Sequence, residues 1–299
     1  MLKYMKPFKT DDIPRVLLIG NGINRAFNSS DWDKLLWDMA PNDRKENWES
    51  IKKLPYPLMA VVATGDRIDV ALKEQSKTMC AGKVFRDQAK IMQEIVKLEA
   101  DAILTTNYTY EIEQALNDEF CVFPGRSSKY RCKTSVNISK KDLNSLYQYM
   151  NITVGDKNFP VWHIHGEAAK YNSMIIGHYY YGKLLCNVEK YAAETIRRYK
   201  ITERQQGEFY PRSWVDYILF GDVYIVGLGM DFSEMDLWWL INCKKRNGKG
   251  KIYYYEPNLN LEKRTLMETY GVENVDLGMK DKDYREYYFR VFQDILNRE

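Results

Sequence analysis

Cysteine and histidine are scarce in this sequence. Its 299 residues include five cysteines and three histidines, and no two cysteines form a Cys-x-x-Cys pair. The cysteines are Cys80, Cys121, Cys132, Cys186 and Cys243. Their odd number and scattered spacing argue against a disulfide framework and against a zinc ribbon. We therefore expect reduced thiols, a cytoplasmic protein and no bound metal.

Long apolar runs and a P-loop are also absent. The N-terminal stretch MLKYMKPFKTDD has no apolar signal core, and no run approaches the roughly 20 residues that cross a bilayer. No GxxxxGK[ST] motif occurs. A formal net charge of +3 is too small to indicate a nucleic-acid or acidic-lipid partner. These absences predict a soluble protein that has no membrane span, and they give no indication of direct nucleic-acid binding.

Apolar patterning predicts alternating strands and helices. Hydrophobic residues make up 45% of the chain, enough for a substantial core. The predicted strands are Arg15–Ile19, Ala102–Thr105, Val161–His165, Met174–Ile176, Val223–Gly227 and Lys251–Glu256. The predicted helices are Trp32–Met39, Leu58–Leu72, Val84–Leu98, Tyr108–Leu116, Leu143–Met150, Val188–Arg204, Trp214–Phe220, Met235–Asn242, Leu261–Tyr270 and Asp283–Leu296. This alternation favours an α/β fold with a Rossmann-like, doubly wound, mostly parallel sheet. We expect one domain over residues 1–299, with helical insertions near 40–98 and 180–210.

A glycine-rich turn follows the first strand. It reads Gly20-Asn21-Gly22-Ile23-Asn24-Arg25. Glycines at this point let the backbone turn tightly and approach a phosphate, with amide N–H groups as donors. Arg25 stands where the dinucleotide fingerprint has its third glycine, and a plain strand-to-turn connection is the alternative. The turn makes Gly20, Gly22 and Asn24 candidate nucleotide-binding residues.

Thr105-Thr106-Asn107-Tyr108 ends the second predicted strand. Ligands of open α/β sheets bind beyond the carboxyl ends of the strands. An Asn amide there can hold a ribose hydroxyl or a water, whereas a helix cap is the equally common alternative. We take Asn107 as a candidate catalytic residue, and its neighbours Thr106 and Tyr108 as candidate cofactor-binding residues.

All three histidines lie close together, and two of them stand in Trp162-His163-Ile164-His165-Gly166-Glu167. An imidazole at a strand end can act as a general base near neutral pH. On a regular strand His163 and His165 would share a face, so a metal pair is a competing interpretation, although no third ligand stands at a recognisable spacing. A hydrogen-bonded core histidine is the other alternative.

A second glycine-bearing turn is Gly227-Leu228-Gly229-Met230-Asp231-Phe232-Ser233-Glu234-Met235-Asp236. Ser233 is placed as a helix N-cap, with Asp236 three residues on. We expect Gly227, Gly229 and Ser233 to add a further phosphate-binding turn. Glu256, at the end of a β-rich run, is a candidate partner for a ribose hydroxyl, although acids before a residue such as Pro257 are common at helix entries.

The order of these motifs resembles the SIR2-like family. GNGIN, TTNY, IHG, a strand with GLG and FSEMD, and a β-run ending in an acid succeed one another from about Arg15 to Pro257. The segment MIIGHYYY also resembles the stretch after HG in bacterial members. The resemblance implies a Rossmann-type NAD fold in which Gly20 and Gly22 hold the pyrophosphate, Asn107 lies by the nicotinamide ribose and His165 is the catalytic base.

The sequence also departs from that family. It lacks the four-cysteine zinc module of deacylating sirtuins, Thr109 replaces the acid that often comes after the Asn motif, and GNGIN replaces a turn with alanine and serine. The wording IGNG, NYT and IHG is similar to AbiH-like abortive-infection proteins. Together the resemblances imply a bacterial anti-phage NAD⁺ hydrolase, regulated by homo-oligomerisation or by a separate sensor or activator protein. Protein deacylation, ADP-ribosyl transfer and a non-catalytic nucleotide-sensing module are the alternatives.

Overall fold

The computed structural model describes residues 5–27, 31–122, 130–131, 135–137, 146–279 and 282–298. The strands are β1 Phe8–Lys9, β2 Arg15–Ile19, β3 Ala102–Thr105, β4 Cys121–Val122, β5 Tyr130–Arg131, β6 Ser135–Asn137, β7 Tyr149–Val154, β8 Lys157–His163, β9 Glu208–Phe209, β10 Asp222–Val226, β11 Ile252–Tyr255 and β12 Val272–Val275. The helices are α1 Gly22–Arg25, α2 Trp32–Met39, α3 Asn42–Lys45, α4 Trp48–Ile51, α5 Tyr56–Thr64, α6 Ile68–Ala81, α7 Arg86–Lys97, α8 Glu111–Leu116, α9 His178–Arg204, α10 Trp214–Phe220, α11 Met235–Asn247, α12 Leu261–Thr269 and α13 Tyr284–Leu296. Two 3₁₀ turns lie at Gly65–Arg67 and Ala168–Ser173.

Eight of these strands form one central sheet in the order β12-β11-β10-β2-β3-β8-β7-β6. The six strands from β12 to β8 are parallel, and β7 and β6 continue the sheet antiparallel beyond β8. The prediction of a mixed α/β, mostly parallel sheet flanked by helices is confirmed.

Helices cover both faces of the sheet, which explains why its strands are continuously apolar. Val16, Leu17, Leu18 and Ile19 of β2 are all buried, as expected for a parallel strand covered on both sides. Alternate residues of β2 face two separate hydrophobic clusters. One cluster includes residues of α2, α5–α8 and α13, and the other includes residues of α9–α12. The carboxyl edge of the sheet is therefore the place where loops can gather around a ligand.

Most predicted elements agree with the structure to within a few residues. The strands β2 and β3 and the helices α2 and α10 have the predicted bounds. The helix expected at Val188–Arg204 begins ten residues earlier, at His178. Strand β8 ends at His163 rather than His165.

Three predicted elements were wrong. The helix expected over Leu58–Leu72 is interrupted at Gly65, whose φ of 55° is outside the helical region. Met174–Ile176 is not a strand, because the Ile175 amide donates to the His165 carbonyl and the Ile175 carbonyl accepts from a tyrosine hydroxyl.

The third is the helix expected over Leu143–Met150. Residues 143–145 lie outside the described residues, and Tyr149–Val154 is strand β7. Strands β7 and β12 were not predicted, because polar residues such as Asn151 and Glu273 break up their apolar patterns.

Across the described residues, no helix combines the length and the apolar character that crossing a bilayer requires.

Candidate functional site

The strand order reverses between β2 and β10, and we call the region beyond the carboxyl ends of these two strands the crevice. The six parallel strands, numbered among themselves in chain order, run 3-2-1-4-5-6 across the sheet. This is the order of dinucleotide-binding folds, whose ligands bind where the order reverses. Here the reversal lies between β2 and β10, which pair from Asp222↔Arg15 to Val226↔Ile19. Both glycine-bearing turns leave the sheet at this point.

The two turns are bonded to each other. The Gly20 amide donates to the Val226 carbonyl at 3.0 Å, and the Gly22 amide donates to the Gly227 carbonyl at 2.6 Å. A Cβ on Gly20 would lie 2.5 Å from the Gly227 oxygen, and one on Gly22 would lie 2.4 Å from the Tyr288 hydroxyl. The glycines at 20 and 22 are therefore needed first for contact between the turns, so a bulky residue at position 22 is not a clean test of phosphate contact.

Gly229 is the glycine of this crevice with open space beside it. It is exposed, and a Cβ added there would meet nothing within 4 Å. Its carbonyl accepts from Lys263 Nζ at 2.6 Å. Burial lowers the pKa of Lys263. Burial also raises the pKa of Glu256, and the nearby charge of Lys263 offsets part of that increase. Gly229, Lys263 and Glu256 thus place an open backbone, a cation and an acid at one edge.

Asn24 has a different role from the one expected. Its side chain is fully buried, accepts from Gln88 Nε2 at 2.8 Å and donates to Asn21 Oδ1 at 3.1 Å. These bonds tie the first turn to α7. Asn24 therefore stabilises the turn through the protein interior.

Asn107 links the end of β3 to the first glycine turn. Its amide N–H donates to Thr105 Oγ1 at 3.0 Å, and its side-chain Nδ2 contacts the Gly20 carbonyl at 3.4 Å. Thr106, the half-buried residue before it, donates its amide to the Ile19 carbonyl at 3.4 Å. Asn107, Thr106 and Gly20 are thus brought together at the crevice.

His163 is clamped between a carbonyl and a carboxylate. Its Nδ1 lies 2.6 Å from the Asn107 carbonyl oxygen, and its Nε2 lies 2.8 Å from Glu113 Oε1. A carbonyl only accepts, so Nδ1 carries a proton. Burial lowers the pKa of His163, but the Glu113 carboxylate outweighs it and raises the pKa to about 9. His163 is therefore a charged residue that fixes the backbone of Asn107.

His165 contacts the opposite layer of helices. Its Nε2 lies 3.0 Å from Asp236 Oδ2, and its Nδ1 lies 3.7 Å from Glu234 Oε2. The strand has already ended at His163, and the Gly166 amide donates to the His163 carbonyl in the turn that follows. The expectation that His163 and His165 share a face is wrong, because regular alternation stops before His165.

The two carboxylates beside His165 come from the second glycine turn. Helix α11 begins at Met235, Glu234 is its N-cap residue, and Asp236 lies in its first turn. The expected Ser233 N-cap is wrong, because the Ser233 amide and hydroxyl both donate to Asp231 Oδ1, at 2.9 Å and 2.6 Å. Asp236 is fully buried, and its Oδ1 has no hydrogen-bond partner among the described residues.

Two tyrosines enclose this group. Tyr181 Oη lies 3.5 Å from Glu234 Oε2, and its ring meets the His165 ring edge-on at 5.4 Å. Tyr108 donates to the Ile175 carbonyl at 2.9 Å and also feels the charges of Glu234 and Asp236. Burial raises the pKa of both tyrosines far above the usual value, so both hydroxyls stay protonated.

The group His165, Glu234 and Asp236 has the composition of a cation site. One ligand atom from each residue lies within 4.8 Å of the others. However, both nitrogens of His165 face carboxylates, and Nε2 makes a hydrogen bond to one of them, which is the arrangement of a proton-sharing cluster. We therefore interpret His165, Glu234 and Asp236 as a cluster that shares protons.

Sequence reasoning found the two histidines and Asn107 but missed their partners. Glu113 is 50 residues from His163, and Asp236 is 71 residues from His165. No local spacing connects them. The one local signal for Glu234 was its position, because it is an acid that opens a helix directly after a glycine-bearing turn.

No family model matches this chain, and no curated protein matches it.

Proposed function

We propose that this protein hydrolyses NAD⁺ at the bond between nicotinamide and ribose. The observation that carries the proposal is that Asn107 contacts the first glycine turn and His165 contacts Asp236 after the second, where the two turns bond each other at the reversal of strand order. NAD⁺ is the substrate in this proposal, and no metal takes part.

The pyrophosphate fits best beside Gly229. The backbone there is open, and the Lys263 ammonium lies at its carbonyl. A cation beside an open glycine favours a phosphate group. Glu256 is then the candidate acceptor for a ribose hydroxyl, as its position after β11 indicated.

The ribose fits at Asn107. The side-chain amide can accept from one hydroxyl and orient the attacking water, and the His163 clamp fixes the backbone that carries it. Proton transfer belongs to the His165 group, a contribution typically worth about 10²–10⁴ in rate.

The biological role rests on the SIR2-like and AbiH-like resemblances. We propose that the protein is the effector of a bacterial anti-phage system that depletes NAD⁺ once triggered. Its trigger would act through self-association or through a separate sensor protein.

A non-catalytic nucleotide-sensing module is the second candidate, and one observation favours it. Both histidines are buried, and adjacent carboxylates raise both pKa values to about 9. Neither imidazole is then a neutral base at pH 7. Deacylation and ADP-ribosyl transfer, which begin with the same bond cleavage, require an acceptor that hydrolysis does not.

Incubation with NAD⁺ alone separates these functions. We expect release of free nicotinamide without an acceptor, measured by chromatography, and we expect His165→Ala and Asn107→Ala to reduce it by roughly 10²-fold or more. Calorimetry on the same variants should show NAD⁺ binding little changed, with circular dichroism as the control for folding.

Three outcomes contradict the proposal or its assignments. Binding without nicotinamide release supports the sensing module. Full activity in His165→Ala, with loss in His163→Ala, means that the other imidazole serves the reaction. Full activity in both variants rejects the hydrolase mechanism.

A further inference from the structure

His165, Glu234 and Asp236 differ in how far their side chains are exposed to solvent. The side chain of Asp236 is 0% exposed, that of His165 is 2% exposed and that of Glu234 is 11% exposed. Asp236 therefore lies deepest and Glu234 outermost. The Glu234 carboxylate is therefore the member of this group that is most accessible to an incoming water or hydroxyl.

The contacts of His165 leave its two nitrogens unequal. Nε2 is within hydrogen-bond distance of Asp236 Oδ2 at 3.0 Å, whereas Nδ1 is 3.7 Å from Glu234 Oε2, which is beyond that distance. Asp236 thus orients the ring. Glu234 interacts electrostatically with the ring, and its carboxylate oxygens still have lone pairs that can accept another hydrogen bond.

The titratable groups that act on Glu234 come from several segments of the described chain. They are His165 after β8, Tyr181 on α9, Tyr108 after β3, Asp231 in its own turn and Asp236 on α11. Burial raises the pKa of Glu234 to about 7, an increase that Asp236 and Asp231 enlarge and the His165 cation limits. A carboxylate whose pKa is raised takes up a proton more readily than an exposed glutamate does, which suits a general base.

We propose that Glu234 is the general base of this site, with His165 as its charged partner and Asp236 as the positioning residue for His165. The inference rests on the proposed hydrolysis of NAD⁺. It assigns the proton acceptor to Glu234, whereas the sequence motifs indicated His165.

The reaction balances with these groups. The oxygen of a water attacks the ribose C1′ as the bond to the nicotinamide nitrogen breaks, and the electron pair of that bond stays on nicotinamide. The proton of the water goes to Glu234. His165 remains an imidazolium throughout, because its Nε2 stays hydrogen-bonded to the Asp236 carboxylate.

The pH profile of Glu234→Gln separates the two possible bases. If Glu234 accepts the proton, this variant should lose at least about 10²-fold in kcat at every pH from 5 to 10, with the Kd for NAD⁺ within about threefold of wild type. The wild-type rate should rise through pH about 7 and level off. Glu234→Asp should restore part of the rate, and Glu189→Gln, an exposed change on α9, should have no effect.

A histidine base gives the opposite result. Removing the Glu234 charge would lower the pKa of His165, so Glu234→Gln would stay active and its profile would move to lower pH. That result overturns the inference and leaves the hydrolase in place. A stoichiometric divalent metal that Glu234→Gln removes also overturns it. A wild-type protein that binds NAD⁺ but releases no nicotinamide overturns the hydrolase and this inference together.

Discussion

His163 and His165 belong to one short motif but contact different parts of the protein. His163 and His165 are two residues apart, yet one bonds Glu113 on α8 and the other bonds Asp236 on α11, in opposite helix layers. Each imidazole is buried beside a carboxylate, so each adds stability that depends on its protonation. His163 offers the simpler test, because it lies outside the proposed proton-transfer group.

His163→Gln should destabilise the fold more at low pH than at high pH. The pKa of His163 is raised from 6.5 to about 9, so its contribution is fully present below pH 6.5 and is lost as pH rises through about 9. Breaking the buried pair should lower the free energy of unfolding by about 3 kcal/mol at pH 6 and by clearly less at pH 9.5. Urea unfolding at both pH values measures this, with exposed His178→Gln as the control. A penalty that increases with pH contradicts the clamp.

At this scale the sequence indicated residue types better than residue partners. Asn107, His165 and the glycines stand where strands end, and that placement is a matter of local patterning. The acids that set the charge of the histidines come from distant segments, and only folding brings them together. The turn after His163 also defeated the expectation of alternation, since it begins one residue before His165.

At the scale of elements, a buried aspartate joins α9 to α10. Asp216 is fully buried, accepts from Tyr191 Oη at 2.7 Å and from Thr195 Oγ1, and pairs with Arg198 at 3.2 Å. It also accepts from the Ser213 amide at the start of α10. Helix α9 is 27 residues long, and this carboxylate fixes its middle to the helix beside it.

Asp216→Ala should lower the free energy of unfolding by about 3–5 kcal/mol, because it leaves a partly buried guanidinium and two hydroxyls without their acceptor. Chemical denaturation of the variant beside Asp118→Ala, an exposed change, provides the measurement. A loss below about 1 kcal/mol would mean that other groups or water replace the carboxylate.

Helices with clear amphipathic spacing were predictable, whereas their interruptions depended on single residues. Apolar spacing predicts one helix from Leu58 to Leu72. That helix is interrupted at Gly65, because the positive φ of this glycine lies outside the helical region. Strand β12 was missed because Glu273 and Asn274 occupy the middle of a four-residue strand at the edge of the sheet.

At the scale of the whole molecule, the reversal of strand order makes the two glycine turns a single unit. The sequence predicted parallel strands and glycine turns, but not the order of the strands. That order depends on which helix layer each crossover joins, and local patterns do not encode it. The meeting of Gly20 with Gly227 is therefore a result of topology.

Gly20→Ala should reduce stability, whereas Gly229→Val should reduce NAD⁺ binding. A Cβ at position 20 overlaps the Gly227 carbonyl, so Gly20→Ala should cost about 1–3 kcal/mol of stability. Position 229 is open, so Gly229→Val should leave stability within about 0.5 kcal/mol and weaken NAD⁺ binding roughly tenfold.

Thermal unfolding and calorimetric titration with NAD⁺ measure the two effects. Gly182→Ala, at another open glycine within α9, is the control for adding a methyl group, and it should raise stability slightly. NAD⁺ affinity unchanged in Gly229→Val would move the pyrophosphate away from the second turn.

The pairing of β2 with β10 also fixes an order of events during synthesis. Arg15 faces Asp222, so β10, one of the two partners of β2, leaves the ribosome more than two hundred residues after it. At about 5–20 residues per second this is a delay of roughly 10–40 s. During that time β2, β3 and β8 can pair, but one side of β2 stays open to other strands. The crevice between β2 and β10 can form only after Val226 has emerged, so a nascent chain halted before that point carries the first glycine turn and Asn107 without Glu234 and Asp236.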